Sequence, residues 1–219
     1  MANNFRFHDK SLRAAGHGMK AISCTKRMKG SEIATIMNKV GSKVSWIRQT
    51  LRIGSEFAIY KGLFQMFKKK ATTNPLEWWS QLLEYFIGVY FYIIDHIDWA
   101  STNHLLKISK AWKSWITLES TRAWLYSTIA ITIHRLAGIY NACKTLKQAD
   151  KLNLSDQQKQ KIRKTRKTLI FMFIKGLVDF GHITYYLKPE IAARDSISYF
   201  LGVVSSFMDI FMILNKGSL

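Results

Sequence analysis

LIFMFIKGLVDFGHITYYL (Leu169–Leu187) and ISYFLGVVSSFMDIFMIL (Ile197–Leu214) are the stretches that decide how this chain reads. They are 19 and 18 residues long. At about 1.5 Å per helical residue each covers about 27 Å, close to a hydrocarbon core of about 30 Å. Pro189 stops the first run, and a polar link over Lys188–Asp195 joins it to the second. The pair therefore predicts a C-terminal transmembrane hairpin.

Each run carries charge, and an ionised group at mid-bilayer costs about 2.5–3.5 kcal/mol on the insertion scale. Lys175, Asp179 and Asp209 consequently need partners. With Leu187 beside Ile197, antiparallel register sets Lys175 opposite Asp209. The alternative partner for Lys175 is Asp179, one turn along its own helix, in the weaker Lys-before-Asp order. Gly202 and Ser206 fall four apart, the small-residue spacing that lets helix backbones approach in lipid.

The formal net charge of +19 is strongly clustered. Residues 1–70 carry a net +12 and residues 144–167 a net +7, whereas 71–143 and 168–219 are each neutral. Basic blocks alternating with neutral, apolar ones follow the positive-inside pattern and put the basic blocks on the cytosolic side. A soluble nucleic-acid binder would instead stripe its cations over one recognition face, so nucleic acid is not expected as a partner.

Two prolines in 219 residues and the absence of alternating strand patterns predict an all-α chain of four to seven helices. Asn74, Pro75 and Glu77 mark one start, through a capping side chain, a preset first turn and an acid at the positive dipole end. That helix runs to about Trp99 and contains the apolar stretch Tyr85–Ile94. A second covers about Thr117–Lys147, and Ser155 with Gln158 forms a capping box for a third.

Upstream, residues 31–67 are amphipathic. Val44, Ile47, Leu51 and Ala58 form one stripe, and Ile53, Phe57, Tyr60, Phe64 and Phe67 another. Lys43, Arg48, Arg52, Lys61 and the run Lys68, Lys69, Lys70 flank them. These residues are expected to hold an anionic lipid surface, each cation contributing about 1 kcal/mol near the headgroups. The chain divides into a basic amphipathic region (1–70), aromatic-rich membrane-associated helices (71–150) and a basic segment with the hairpin (151–219), within one family domain.

No chemistry is visible. There is no glycine-rich phosphate loop, HExxH motif or nucleophile elbow. Asp95, His96 and Asp98 read as an interfacial cluster, because neighbours on a helix point about 100° apart. Cys24 and Cys143 fit neither a disulfide framework nor zinc spacing. No cofactor and no metal is expected, and the chain does not read as an enzyme.

The order of features resembles the peroxin-11 family (peroxisomal biogenesis factor 11) from about Ile47 to Leu214. TLRIGSEF (Thr50–Phe57), YFYIIDHIDWA (Tyr90–Ala100), TLIFMFIKGLVDF (Thr168–Phe180) and LGVVSSFMDIF (Leu201–Phe211) carry the likeness. The resemblance implies an integral peroxisomal or glycosomal membrane protein with both termini in the cytosol. It also implies membrane elongation before fission by an amphipathic helix, homo-oligomerisation, and recruitment of a dynamin-related GTPase with its adaptor. An oligomeric solute channel is the other activity it implies.

Overall fold

The computed structural model describes residues 2–25, 28–54, 56–68, 74–149, 151–187 and 194–215. Seven helices account for nearly all of them: α1 (Ala2–Ser23), α2 (Glu32–Leu51), α3 (Glu56–Lys68), α4 (Pro75–Thr102), α5 (Lys110–Lys147), α6 (Asp156–Leu187) and α7 (Arg194–Leu214).

Local sequence sets the boundaries. Asn74 caps α4 through the Leu76 amide at 3.0 Å, with Pro75 opening the first turn. At the start of α6 the Ser155 amide donates to Gln158 Oε1 (2.9 Å), and the Gln158 amide donates back to Ser155 Oγ (3.3 Å), a reciprocal capping box. The amphipathic stretch over 31–67 is two helices, because Gly54 takes φ 93°, a left-handed conformation that no β-branched residue would tolerate. The Gly54 amide donates to Glu56 Oε2 at 2.8 Å, so one short turn ends α2 and starts α3. Helix α5 begins seven residues before the expected Thr117, at Lys110, where Ser109 accepts from the Trp112 amide at 3.3 Å.

The helices pack in the order α2–α1–α7–α6–α5–α4–α3, and α2 makes a smaller contact with α4. The first and last helices of the chain are therefore neighbours. Helix α1, for which composition gave no structural role, sits between α2 and α7.

The interior inverts the water-soluble pattern. Among the described residues, twelve hydrophobic side chains are buried and six of these are alanine, while seventeen buried residues are polar or charged. Ala123, Ala130 and Ala137 recur every seven residues along the buried side of α5, with Ser127 and His134 between them and Ser120 one turn before. Large apolar side chains lie mostly outside, where this chain does not cover them: Trp79, Phe86, Tyr140, Phe200 and Phe207 are all exposed. Water makes such an outer surface unfavourable, whereas lipid makes it neutral and rewards small, hydrogen-bonding interiors. Among the described residues one conventional apolar cluster exists, where Met66 of α3 packs on Trp78 and Leu82 of α4. By length and composition α7 is, among the described residues, the one helix apolar enough to cross a membrane (Asp195–Leu214). The α6 run keeps Lys175, Asp179 and His182 within its span.

Candidate functional site

The charges that the bilayer would penalise meet at one place. Asp179 of α6 accepts from Arg13 Nη2 of α1 at 2.9 Å, from Lys175 Nζ and from Ser205 Oγ of α7. Lys175 Nζ also lies 3.4 Å from Asp209 Oδ2 on α7, so it serves both carboxylates. Lys10 of α1 approaches Asp209 at 3.2 Å, and Arg48 of α2 donates to Asp9 at 3.1 Å. Four cations and three carboxylates from four helices thus form one buried network. Burial lowers the Arg48 guanidinium to about 10 against the opposing pull of Asp9, so it remains charged at neutral pH.

Aromatic rings and small residues enclose the network. Arg13 stands over the Trp124 ring of α5 at 5.5 Å. His17 meets His182 edge-on with centroids 4.8 Å apart, and burial, reinforced by Arg13, holds the His17 imidazole far below its ordinary value and neutral. Gly202 gives His17 its space: a Cβ there would stand 2.9 Å from the ring. Ser206 is fully buried and donates to Gly202 O at 2.7 Å. Gly202 and Ser206 therefore sit at the α7 interface, and the close neighbour at Gly202 belongs to α1, a partner not foreseen from sequence.

Sequence reasoning passed over Asp9, Lys10, Arg13 and His17. A signal existed, since Lys10, Arg13, His17 and Lys20 recur at spacings of three, four and three, one face of a helix. The α6–α7 pair also holds two aspartates against one lysine in its apolar runs, and so calls for a cation from elsewhere.

The amphipathic set divides. Ile47, Leu51, Phe57, Phe64, Lys43, Lys61 and Lys68 are exposed, with Lys68 Nζ 4.5 Å above the Phe64 ring. Val44 is half-buried against Gly16. Arg48 and Arg52, both expected at lipid, turn inward, because Asp9 and Asp95 (3.3 Å from Arg52) draw them into the bundle. Lys69 and Lys70 lie outside the described residues. In the acidic cluster of α4, Asp95 meets Arg52, and Asp98 accepts from Thr117 Oγ1 at 2.7 Å.

A pair of charges can be swapped, but a network constrains the exchange. The Lys175→Asp carboxylate would stand against Asp179, and the Asp209→Lys ammonium against Lys10. Exchanging both is thus expected to restore less than half of the protease resistance lost on either single reversal, as limited proteolysis of the membrane-bound protein would read.

A chain whose described residues are helical, with an ionic interior and large apolar side chains turned outward, falls in the class of helical membrane proteins. The sequence profile of the family described as Peroxisomal biogenesis factor 11 (PEX11) matches residues 1–214. The chain belongs to that family, a group of non-enzymatic membrane proteins of peroxisome biogenesis, and the family implies the peroxisomal membrane. The match takes in the N-terminal residues upstream of Ile47, beyond the stretch whose motifs carry the likeness, and so includes α1. No curated protein and no solved structure matches the chain.

Proposed function

We propose that the chain elongates and curves the peroxisomal membrane ahead of fission. The observation that carries this reading is the outward face of α2–α3, where Ile47, Leu51, Phe57 and Phe64 stand exposed beside Lys43, Lys61 and Lys68. Apolar side chains inserted into one leaflet add area on that side only, while the lysines hold the helix on anionic headgroups. The break at Gly54 lets α2 and α3 follow different lines along the surface. In this reading α6 and α7 anchor the chain as a hairpin with both termini in the cytosol. Copies of the chain associate laterally, and a dynamin-related GTPase with its adaptor completes the division.

Ile47→Glu or Leu51→Glu in the full-length protein is expected to abolish organelle elongation on overexpression while leaving membrane retention intact. Light microscopy and carbonate extraction check the two halves. Elongation undiminished by both substitutions would place the curvature element elsewhere.

A second reading, an oligomeric solute channel, has one observation in its favour: a cleft of about 1540 Å³ lined by Arg13, Arg48, Asp95, His182 and Asp209. Planar-bilayer conductance of the purified protein separates it from membrane remodelling.

A further inference from the structure

Average hydropathy passes over α4 and α5, because it counts inward and outward residues alike. Sorted by side, the two helices read differently. Between Leu76 and Ile93 every exposed position of α4 is apolar or aromatic: Leu76, Trp79, Leu83, Phe86, Tyr90 and Ile93. Their alternating spacing of three and four draws one straight stripe about 26 Å long.

Helix α5 repeats the pattern. Tyr126, Ile129, Ile133, Leu136 and Tyr140 are its exposed positions between Arg122 and Lys144, and those two cations bracket a length of about 33 Å. Tyrosines at the ends of the band and cations just beyond them are the order found across a bilayer. The exposed positions of α6 after Thr168 and of α7 after Asp195 are likewise all apolar or aromatic.

The ionisable groups of α4 and α5 within these bands turn inward and find partners. Glu84 meets Arg135 at 3.8 Å and His134 at 3.9 Å. Helix α2 provides the contrast, for its exposed positions include Glu32, Asn38, Lys39 and Lys43. An outer side free of charge is thus a property of these bands on α4 to α7, not of every helix in the bundle.

Charge along the chain gives the same division. Four crossings would put the segment between the two hairpins, residues 144–167 (net +7), on one side. The opposite side would receive 103–109, with Lys107 its one charge, and 188–193, where Lys188 is balanced by Glu190. This is the positive-inside asymmetry that the membrane insertion machinery reads.

We propose that α4 and α5 enter the bilayer as a second hairpin beside α6 and α7, their outward stripes covered by lipid acyl chains. The 103–109 connection then emerges on the lumenal face. The inference rests on the membrane reading above and extends it from two embedded helices to four.

Cysteine accessibility in the full-length protein tests it. Cys24→Ser with Cys143→Ser gives a background without thiols. Single cysteines are then placed by Leu105→Cys in the α4–α5 connection, Leu152→Cys in the basic segment and Ser196→Cys at the start of α7. Intact organelles are treated with a membrane-impermeant maleimide before and after permeabilisation. Leu152→Cys is expected to label at once, and Leu105→Cys and Ser196→Cys only after permeabilisation. Immediate labelling of Leu105→Cys with Ser196→Cys still protected would overturn the second hairpin and leave the C-terminal one standing. Immediate labelling of all three, with release of the chain by carbonate, would overturn the membrane reading itself. Phe86→Cys in the same background supplies the remaining arm. Efficient disulfide cross-linking between copies would assign the α4 stripe to a second protein molecule and overturn lipid as its occupant.

Discussion

Replacing Asp179 by alanine is expected to destabilise the protein by about 3–5 kcal/mol, the range for removing one member of a buried ion pair. Three donors converge on this carboxylate: Arg13, Lys175 and Ser205. Its loss leaves two cations buried among α1, α6 and α7 with only Asp209 near Lys175 to compensate. Thermal unfolding of the detergent-solubilised protein, followed by helical signal, reads the loss directly. Asp179→Asn is expected to fall between wild type and Asp179→Ala, since the amide oxygen still accepts from Arg13 while the charge is gone. The combination Asp179→Leu with Arg13→Met and Lys175→Met is expected to recover most of the loss, because an all-apolar replacement strands no charge. An Asp179→Ala protein as stable as wild type would show that the network does not hold α1 in place.

The second large effect is expected at the crossing of α1 and α2. A Cβ on Gly41 would stand 2.9 Å from the Gly16 carbonyl oxygen, and backbone there cannot turn aside as a flexible side chain can. Gly41→Leu is therefore expected to force the two helices apart, at a cost of about 1–3 kcal/mol or more, the range for overpacking. The separation also removes Arg48 from Asp9, now 3.1 Å away. Trypsin cleavage within α2, at Lys39 and Lys43, should accelerate in proportion. On the same helix as Gly16, a Cβ added at Gly18 would meet nothing within 4 Å. Gly18→Ala is expected to be neutral or to stabilise by up to about 1 kcal/mol through helix propensity alone. Equal damage from both substitutions would rule out close approach as the cause.

Much of this fold was legible in the order of residues because the signals were local. Asn74-Pro75, the Ser155–Gln158 box and the cations closing α5 are short-range capping chemistry, and each lies where a helix begins or ends. The left-handed Gly54 could be read as a turn residue, but the 31–67 stretch looked like one amphipathic unit because its hydrophobic spacing continues through the break. Helix α1 was illegible for a different reason. Its buried face is charged, and charge on a helix is ordinarily the sign of a solvated side. Only the deficit of cations in the α6 and α7 runs shows that Lys10 and Arg13 belong inside, and that deficit is 166 residues away from Arg13 along the chain. Arg48 and Arg52 misled in the same way, reading as headgroup contacts when Asp9 and Asp95 lie behind them.

The adjacency of α1 and α7 bears on the order of synthesis. Nascent helices normally pack as they leave the ribosome, yet the groove that receives α1 is missing until α7, the final helix, has been made. Until then Lys10 has no Asp209 to meet and α1 lacks the helix it packs on beside Asp179, so a chain interrupted after α6 keeps a cationic N-terminal helix available to chaperones and proteases. Docking of α1 accordingly waits for α7 instead of following the order of synthesis.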